Sequence, residues 1–273
     1  EMLVTKALAA NGVRVPRVYG WSDFPKAYVI EWIETGGDRD PGMIYTAIDT
    51  PTGMDPDRWQ AMLAYMEGLA RIHTIPVTEF KGIEWYVEPR TADEVALNII
   101  ERQYQFGIDN GLNDPVLTCI MSWLRRHVPR HRTQASFVTG DAGQFMSRGA
   151  EVAAYLDFEI AHIGDFHEDL AWTMQRMFAT WRDDGTLLIS GLLPRAEFLE
   201  RYCAATGFTL DARTLAWYGV LNAYKCAGIN LASGTRAATD GNSHQDLVLS
   251  WLMACGNVFT AEIARLIEEY DAL

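Results

Sequence analysis

The feature that most constrains the fold is a short strand-like insert between segments of helical pattern. Residues 135–138 and 144–147 are strand-like, Arg148-Gly149 is a turn signal, and residues 152–158 (VAAYLDF) form a further strand-like stretch that contains an aspartate. Apolar periodicity predicts helices around this insert, over residues 92–106, 115–127, 166–180, 195–206, 212–231 and 244–270. A small β insert carrying carboxylates therefore lies inside a helical domain.

The N-terminal part has a different pattern. Apolar residues at helical spacing predict a helix up to about residue 10, and two strand-like stretches follow at residues 17–20 and 27–33. Residues 35–57 are rich in Gly, Pro and Asp, which indicates a long loop or linker. The next helix has one apolar face, formed by Met62, Leu63, Met66, Leu69, Ala70 and His73.

Composition narrows the classes of partner. The 273 residues include 23 Lys and Arg against 36 Asp and Glu, a formal charge of −13, which argues against nucleic acid as a partner. An acidic field favours a cationic small molecule, although the same charge also serves solubility alone. No apolar stretch is long enough to cross a membrane, and the four dispersed cysteines are typical of a reducing cytoplasm. The oligomeric state is not indicated.

Two aspartates of the insert, Asp141 and Asp157, each follow an apolar strand-like stretch. Strands paired through the turn at Arg148-Gly149 bring both carboxylates to the same end of a β ribbon. Phosphoryl transfer from a nucleotide uses such a pair: one carboxylate orients the attacking hydroxyl, and another, with an amide, binds the magnesium that bridges the phosphates. Carboxylates at strand ends are also common on protein surfaces, and spacing alone leaves both interpretations open.

The segment TGDAGQFMSRGAEVAAYLDFEIAHIGDFHEDLAW carries three motifs in order: Thr139-Gly140-Asp141, Leu156-Asp157-Phe158-Glu159, and residues 164–171 (GDFHEDLA). It resembles the catalytic segment of the aminoglycoside phosphotransferase family, which shares the protein-kinase fold. That family shows H-G-D, then an Asn, a hairpin, D-[WF]-E, and G-D-P-x-x-D-L-A. Residues 9–18, 28–33 and 69–73 resemble further parts of the same family.

The resemblance implies an α+β, protein-kinase-like bilobal fold. Residues 1–35 would form a truncated N-lobe, a few strands plus a helix, with the hinge. Residues 36–273 would form a mostly helical C-lobe that carries the β-hairpin. The chain starts after the positions of the family's glycine-rich loop and strand lysine, so the natural protein is expected to extend upstream of Glu1.

The resemblance also implies roles for individual residues. Asp141 would orient the substrate hydroxyl as the catalytic residue, with ATP as cosubstrate, and Asp157 would bind Mg²⁺. Gln144 either replaces the amide ligand of a second Mg²⁺ or is an ordinary loop residue. Glu31 and Ile33 lie in the hinge, where backbone groups meet adenine. Glu1 falls at the helix glutamate that pairs with the phosphate-binding lysine, or is a fraying terminus.

One further aspartate and two departures from the family pattern bear on activity. Asp169 resembles a family aspartate that supports the catalytic loop. Thr139 stands where the family has His, and the interval from Asp141 to Gln144 is short. We therefore expect an ATP-dependent kinase acting on a hydroxyl of a small molecule, with a catalytically weak kinase-like binding protein and a purely structural helical domain as alternatives. The sequence does not identify the substrate.

Overall fold

The computed structural model describes residues 1–34, 56–83, 86, 89, 94–130, 134–175, 180–181, 184–189, 193–239 and 256–273. These residues cluster into two compact units. The first unit comprises Glu1–Glu88 and Ala135–Leu210, and the second comprises Pro89–Gln134 and Asp211–Leu273. This division follows contacts within the chain. The expected lobe boundary at residue 35 is a separate matter and stays a prediction, since most of the linker around it lies outside the described residues.

The first unit begins with a helix and a hairpin. Helix α1 ends where Asn11 donates its side-chain amide to the carbonyl oxygen of Ala7 at 2.9 Å. Strands β1 and β2 then pair antiparallel, with Trp21 opposite Tyr28. The elements of this part are α1 (Met2–Ala10), β1 (Val18–Asp23), β2 (Lys26–Ile30), α2 (Pro56–Thr74) and a 3₁₀ turn (Val77–Phe80).

The rest of the first unit contains the β insert. Its elements are β3 (Ser136–Val138), β4 (Phe145–Arg148), β5 (Glu151–Tyr155), β6 (His162–Gly164), α5 (His167–Thr173), β7 (Thr180–Trp181), β8 (Leu187–Ile189), β9 (Leu193–Pro194) and α6 (Arg195–Thr206). Strand β4 pairs antiparallel with β5, and β3 with β6. Aromatic stacking joins the insert to its surroundings, because Tyr65 of α2 stacks on Phe145 with ring centroids 4.7 Å apart.

The second unit is helical in its described residues. It contains α3 (Glu94–Asp109), α4 (Pro115–Arg126), α7 (Ala212–Thr239) and α8 (Gly256–Asp271). Asp114 caps α4 by accepting a hydrogen bond from the backbone N–H of Leu117 at 2.9 Å. Helix α7 buries Trp217 completely, and the indole N–H donates to the carbonyl oxygen of Leu124 at 3.1 Å.

The α+β class predicted from the sequence is confirmed, and so are most element positions. Several boundaries differ from the prediction. The strands predicted over residues 27–33 and 152–158 end at Ile30 and Tyr155. The helix predicted over residues 166–180 ends at Thr173, and the helix predicted over residues 212–231 continues to Thr239. Strands β6 to β9 were not predicted, since each has only two or three residues. The predicted loop at residues 35–57 and the start of the predicted helix 244–270 fall largely outside the described residues.

None of the described helices is long and apolar enough to cross a membrane.

Candidate functional site

The hairpin β4–β5 places two aspartates at its open end. Phe145 pairs with Tyr155, and one further hydrogen bond, from the N–H of Leu156 to the carbonyl oxygen of Gln144 at 3.0 Å, continues the pairing past the strands. Asp141 precedes β4 and Asp157 follows β5, so both residues lie at the open end of the hairpin. They are close enough for the charge of Asp141 to raise the pKa of Asp157. Both aspartates thus lie at the same end of the ribbon, as expected, and their roles in catalysis and metal binding stay predictions.

Negative charge accumulates at Asp157. Partial burial raises the pKa of its carboxyl most, followed by the charges of Glu159, Asp141 and Glu1 in that order, and together they bring it from 3.8 to about 6. The backbone of Asp157 has φ +63°, a left-handed conformation that is uncommon for residues other than glycine. A carboxylate that neighbouring carboxylates discourage from ionising gains much from a bound cation.

The donor set suits magnesium bound together with phosphates. Among the described residues, no group of three or more His, Cys, Asp or Glu side chains could by itself hold a metal ion. Magnesium commonly takes one or two carboxylates and completes its shell with water and phosphate oxygens. Asp157 offers such a carboxylate. Gln144 is oriented with its amide nitrogen donating to Oδ2 of Asp141 at 3.1 Å, which ties it to the loop.

The loop from residue 139 to residue 144 needs glycine where it turns. Gly140 has φ +78°, and a Cβ there would come within 3.0 Å of the carbonyl oxygen of Ile160. Gly143 has φ +131°. These two positions let the backbone turn sharply on both sides of Asp141.

A buried carboxylate holds this loop. Asp169 of α5 is fully buried and accepts three hydrogen bonds from the loop, from the N–H of Thr139 (2.8 Å), the hydroxyl of Thr139 (2.8 Å) and the N–H of Gly140 (2.9 Å). His73 of α2 lies 3.0 Å from the same carboxylate, and its other ring nitrogen lies 2.7 Å from the hydroxyl of Tyr202. Thr139, which stands where the family has His, is thus part of the support of the loop.

The segment from β6 to α5 contains two more buried histidine–carboxylate pairs. His162 lies 3.1 Å from Glu168, and His167 contacts Asp165. Asp165 also accepts the backbone N–H of His167 at 3.0 Å, at the start of α5. The pairing of His162 with Glu168 was missed, because it joins a strand to the following helix and depends on how the chain turns between them.

Glu1 is held beside Asp157. Its carboxylate accepts the N–H of Phe158 at 3.3 Å and the hydroxyl of Tyr28. The pKa of Tyr28 is raised, first by burial and then by the hydrogen bond to Glu1 and the charges of Glu1 and Asp157. Tyr28 was not singled out from the sequence. It lies at the centre of β2, and its contact with Glu1 follows only from the tertiary structure.

The predicted hinge residues follow directly after β2. Glu31 donates its N–H to the carbonyl oxygen of Arg17 at 2.8 Å, and Ile33 is half-buried. Arg148 of β4 donates two hydrogen bonds to the carbonyl oxygen of Glu34, at 2.6 and 3.0 Å. The segment of Glu31 and Ile33 is therefore attached to the same hairpin that carries the aspartates. Its predicted contact with a nucleotide stays a prediction.

Comparison with known proteins identifies a family and a fold. The model of the phosphotransferase enzyme family matches residues 1–218. A Ralstonia eutropha protein assigned as an aminoglycoside phosphotransferase superimposes with a TM-score of 0.72 at 20% identity, over 98% of this chain and 82% of that one. The choline kinase of Cryptosporidium parvum gives 0.58 at 9% identity, over 98% and 77%. The ethanolamine kinase of Plasmodium vivax gives 0.55 at 10% identity, over 96% and 73%. These likenesses confirm the kinase-like fold.

Sequence relatives come from longer proteins. Human acyl-CoA dehydrogenase family member 11 is 24% identical over 266 residues, which is 91% of this chain and 32% of the relative. Mouse acyl-CoA dehydrogenase family member 10 is 27% identical over 225 residues, 76% of this chain and 20% of the relative. The chain thus spans a third or less of the length of these curated relatives.

Proposed function

The chain belongs to the phosphotransferase enzyme family, and on that premise we propose that it transfers the terminal phosphoryl group of ATP to a hydroxyl of a small molecule. The observation that carries the proposal is the juxtaposition of Asp141 and Asp157 at the open end of β4–β5. Buried Asp169 holds the loop that carries Asp141, and this also supports the proposal, because a catalytic carboxylate must be held in place.

In the proposed reaction, the hydroxyl oxygen of the acceptor attacks the terminal phosphorus in line with the leaving oxygen. The bond from that phosphorus to the bridging oxygen breaks, ADP leaves, and the hydroxyl proton passes to the Asp141 carboxylate. Asp141 orients the hydroxyl, and no phospho-enzyme forms. Magnesium, when bound, neutralises phosphate charge. Asp157 would hold it, with Gln144 as the candidate amide ligand after rotation of its side chain.

The nucleotide would lie along the segment after β2. Backbone groups at Glu31 and Ile33 are proposed to meet adenine, and Glu1 is proposed to pair with a cationic group near the phosphates. Support for the role of Glu1 comes from its hydrogen bond to the N–H of Phe158, which keeps its carboxylate beside Asp157.

A cationic acceptor is the finer proposal. It is supported by the net charge of −13 and by the carboxylates gathered around Asp157. The choline and ethanolamine kinases that share the fold are named for amine-bearing alcohols. A panel of amino alcohols and matched neutral alcohols, assayed by ADP release, separates this proposal from a surface charge that serves solubility alone.

The test of the reaction is ATP turnover by the full-length protein with and without Mg²⁺, using that panel. We expect Asp141→Asn to lower turnover about a hundredfold or more, since removal of a general base costs that much. Asp271→Asn, at the end of α8, is the matched control and should leave turnover unchanged. Equal turnover by the wild type and Asp141→Asn would refute the role of Asp141.

A second candidate is a kinase-like protein that binds nucleotide and turns it over weakly. It is favoured by Gln144, whose amide nitrogen is engaged with Asp141. Thermal stabilisation by ATP that is the same in Mg²⁺ and in EDTA would support this candidate. Stabilisation that needs Mg²⁺ and disappears in Asp157→Asn would support the kinase.

A further inference from the structure

A cavity of about 460 Å³ lies within the second unit, and none of the residues of the phosphotransfer proposal lines it. Its wall is formed by the end of α4, the residues that follow it, the start of α7 and Tyr270 of α8. A recess of this volume admits a phosphate or diphosphate group with part of the molecule that bears it.

The wall of this cavity is basic in an acidic protein. Arg126, Arg130 and Arg213 line it, and among its described residues Asp211 is the one carboxylate. The sequence of residues 125–132 is RRHVPRHR, which has four arginines, two histidines and no acidic residue, in a chain whose formal charge is −13. A positive recess on such a chain marks a place where an anion would be attracted.

The arginine on α7 is preorganised. The guanidinium of Arg213 lies over the ring of Tyr270, with Cζ 4.5 Å from the ring centroid. Tyr270 itself is held edge-on by Trp123 at 5.0 Å and by His127 at 5.4 Å, between ring centroids. Stacking on an aromatic ring fixes the plane of a guanidinium and leaves the N–H groups at its edge available. This planar arrangement of donors suits a phosphate group.

The single carboxylate in the wall is already engaged. Asp211 accepts the N–H of Thr214 at 2.6 Å, and its carbonyl oxygen accepts the N–H of Leu215 at 2.9 Å. It therefore caps α7, a helix of 28 residues whose positive end offsets the charge of the cap. Asp211 opposes an anion less than its formal charge suggests.

We propose that this cavity binds a phosphate-bearing small molecule, with Arg126 and Arg213 as the principal contacts. The proposal does not depend on phosphotransfer, because it uses no residue of the first unit. An exposed basic surface without a specific ligand would instead attract anions weakly and without saturation.

The test is calorimetric titration of the full-length protein with sodium diphosphate, in EDTA and at constant ionic strength. We expect one saturable site, weakened about tenfold or more by Arg126→Gln and by Arg213→Gln, since each removes a charge-assisted hydrogen-bond donor. Arg213→Lys keeps the charge but loses the planar fork, so it should weaken binding as well. Arg201→Gln, an exposed arginine on α6, and Asp157→Asn should leave binding unchanged.

Absence of saturable binding would overturn the proposal, and so would equal loss in Arg201→Gln. Binding of a single-stranded oligonucleotide without binding of diphosphate would overturn it too, in favour of a nucleic-acid surface. A second measurement needs no variant: diphosphate should protect Arg126 and Arg213 of the wild type from phenylglyoxal, read by peptide mass spectrometry. Unprotected arginines in saturating diphosphate would count against the site.

Discussion

At the scale of single residues, Asp157 combines a raised pKa with a strained backbone. Its carboxyl has a pKa of about 6 in the folded protein against 3.8 ordinarily, so the folded state holds the extra proton between about pH 4 and pH 6. The free energy of unfolding therefore falls as pH rises through that window and then stays reduced.

In EDTA at pH 7.5, Asp157→Asn should raise the melting temperature. The carboxyl is only partly buried, so solvent screens part of this effect, and the gain is about 1 kcal/mol, or about 2–4 °C.

The pH dependence separates charge from backbone strain. Asparagine tolerates the left-handed conformation better than most residues, and any benefit from this is the same at every pH. The difference in melting temperature between Asp157→Asn and the wild type should shrink from pH 7.5 to pH 4.5. Glu101→Gln, a change of an exposed carboxylate on α3 in the second unit, is the control. A difference that does not change with pH would show that the charges around Asp157 do not oppose its ionisation.

Sequence motifs located Asp141 and Asp157 because a turn between two strand-like stretches fixes where their ends lie. They could not reveal that Asp157 leaves the strand and takes a positive φ, since local propensity does not encode that choice. Nor could they reveal that Tyr28 donates to Glu1, because this contact joins two elements whose packing depends on tertiary structure.

At the scale of elements, helix α2 packs closely on β5 because Gly68 of α2 has no side chain. A Cβ at Gly68 would lie 2.5 Å from Cζ of Tyr155 and still closer to its hydroxyl, which itself approaches the carbonyl oxygen of Tyr65 at 3.3 Å. Gly68→Ala should force the hairpin away from α2 and lower the free energy of unfolding by about 1–3 kcal/mol. Urea denaturation of the purified variant measures the change.

Gly107 of α3 is the matched control. Among the described residues no atom lies within 4 Å of a Cβ built there. Gly107→Ala should therefore stabilise the protein by up to about 1 kcal/mol through helix propensity alone. A stabilising effect of the same size at Gly68 would mean that the hydroxyl of Tyr155 does not occupy the space next to the helix.

Helices were easier to predict than short strands. The predicted range 195–206 coincides with α6, because Phe198 and Tyr202 recur at helical spacing and Gly207, with φ +73°, follows the last turn. Strands β7 and β9 have two residues each, too few to show alternation, and they exist through pairing with β8. Helix α5 ends at Thr173 although apolar residues continue, so periodicity beyond that point predicted the wrong element.

At the scale of the whole molecule, the sequence indicated the family and the α+β class but not the two compact units. Each unit joins two segments that are far apart in sequence, as when Trp217 of α7 donates to Leu124 of α4. Contacts over such separations leave no local pattern. The basic cavity of the second unit was missed for the same reason: its run of arginines is visible in the sequence, but Arg213 and Tyr270 join it only in the folded chain.

The chain has 36 acidic and 23 basic residues, and this excess of negative charge also acts on the molecule as a whole. Like charges are closer together in the folded chain than in the unfolded one, so their repulsion destabilises the fold and salt relieves it. Raising NaCl from 10 to 100 mM shortens the screening length from about 30 Å to about 10 Å. At pH 7.5 we therefore expect the melting temperature to rise by about 2 °C, if screening is worth roughly 1 kcal/mol.

Two controls separate screening from ion binding. KCl should act like NaCl, since screening does not depend on the cation. Near pH 4.9, the isoelectric point, the effect should vanish because the net charge does. A rise found only with NaCl would point to a bound ion, and an equal rise at both pH values would show that net repulsion is not its cause.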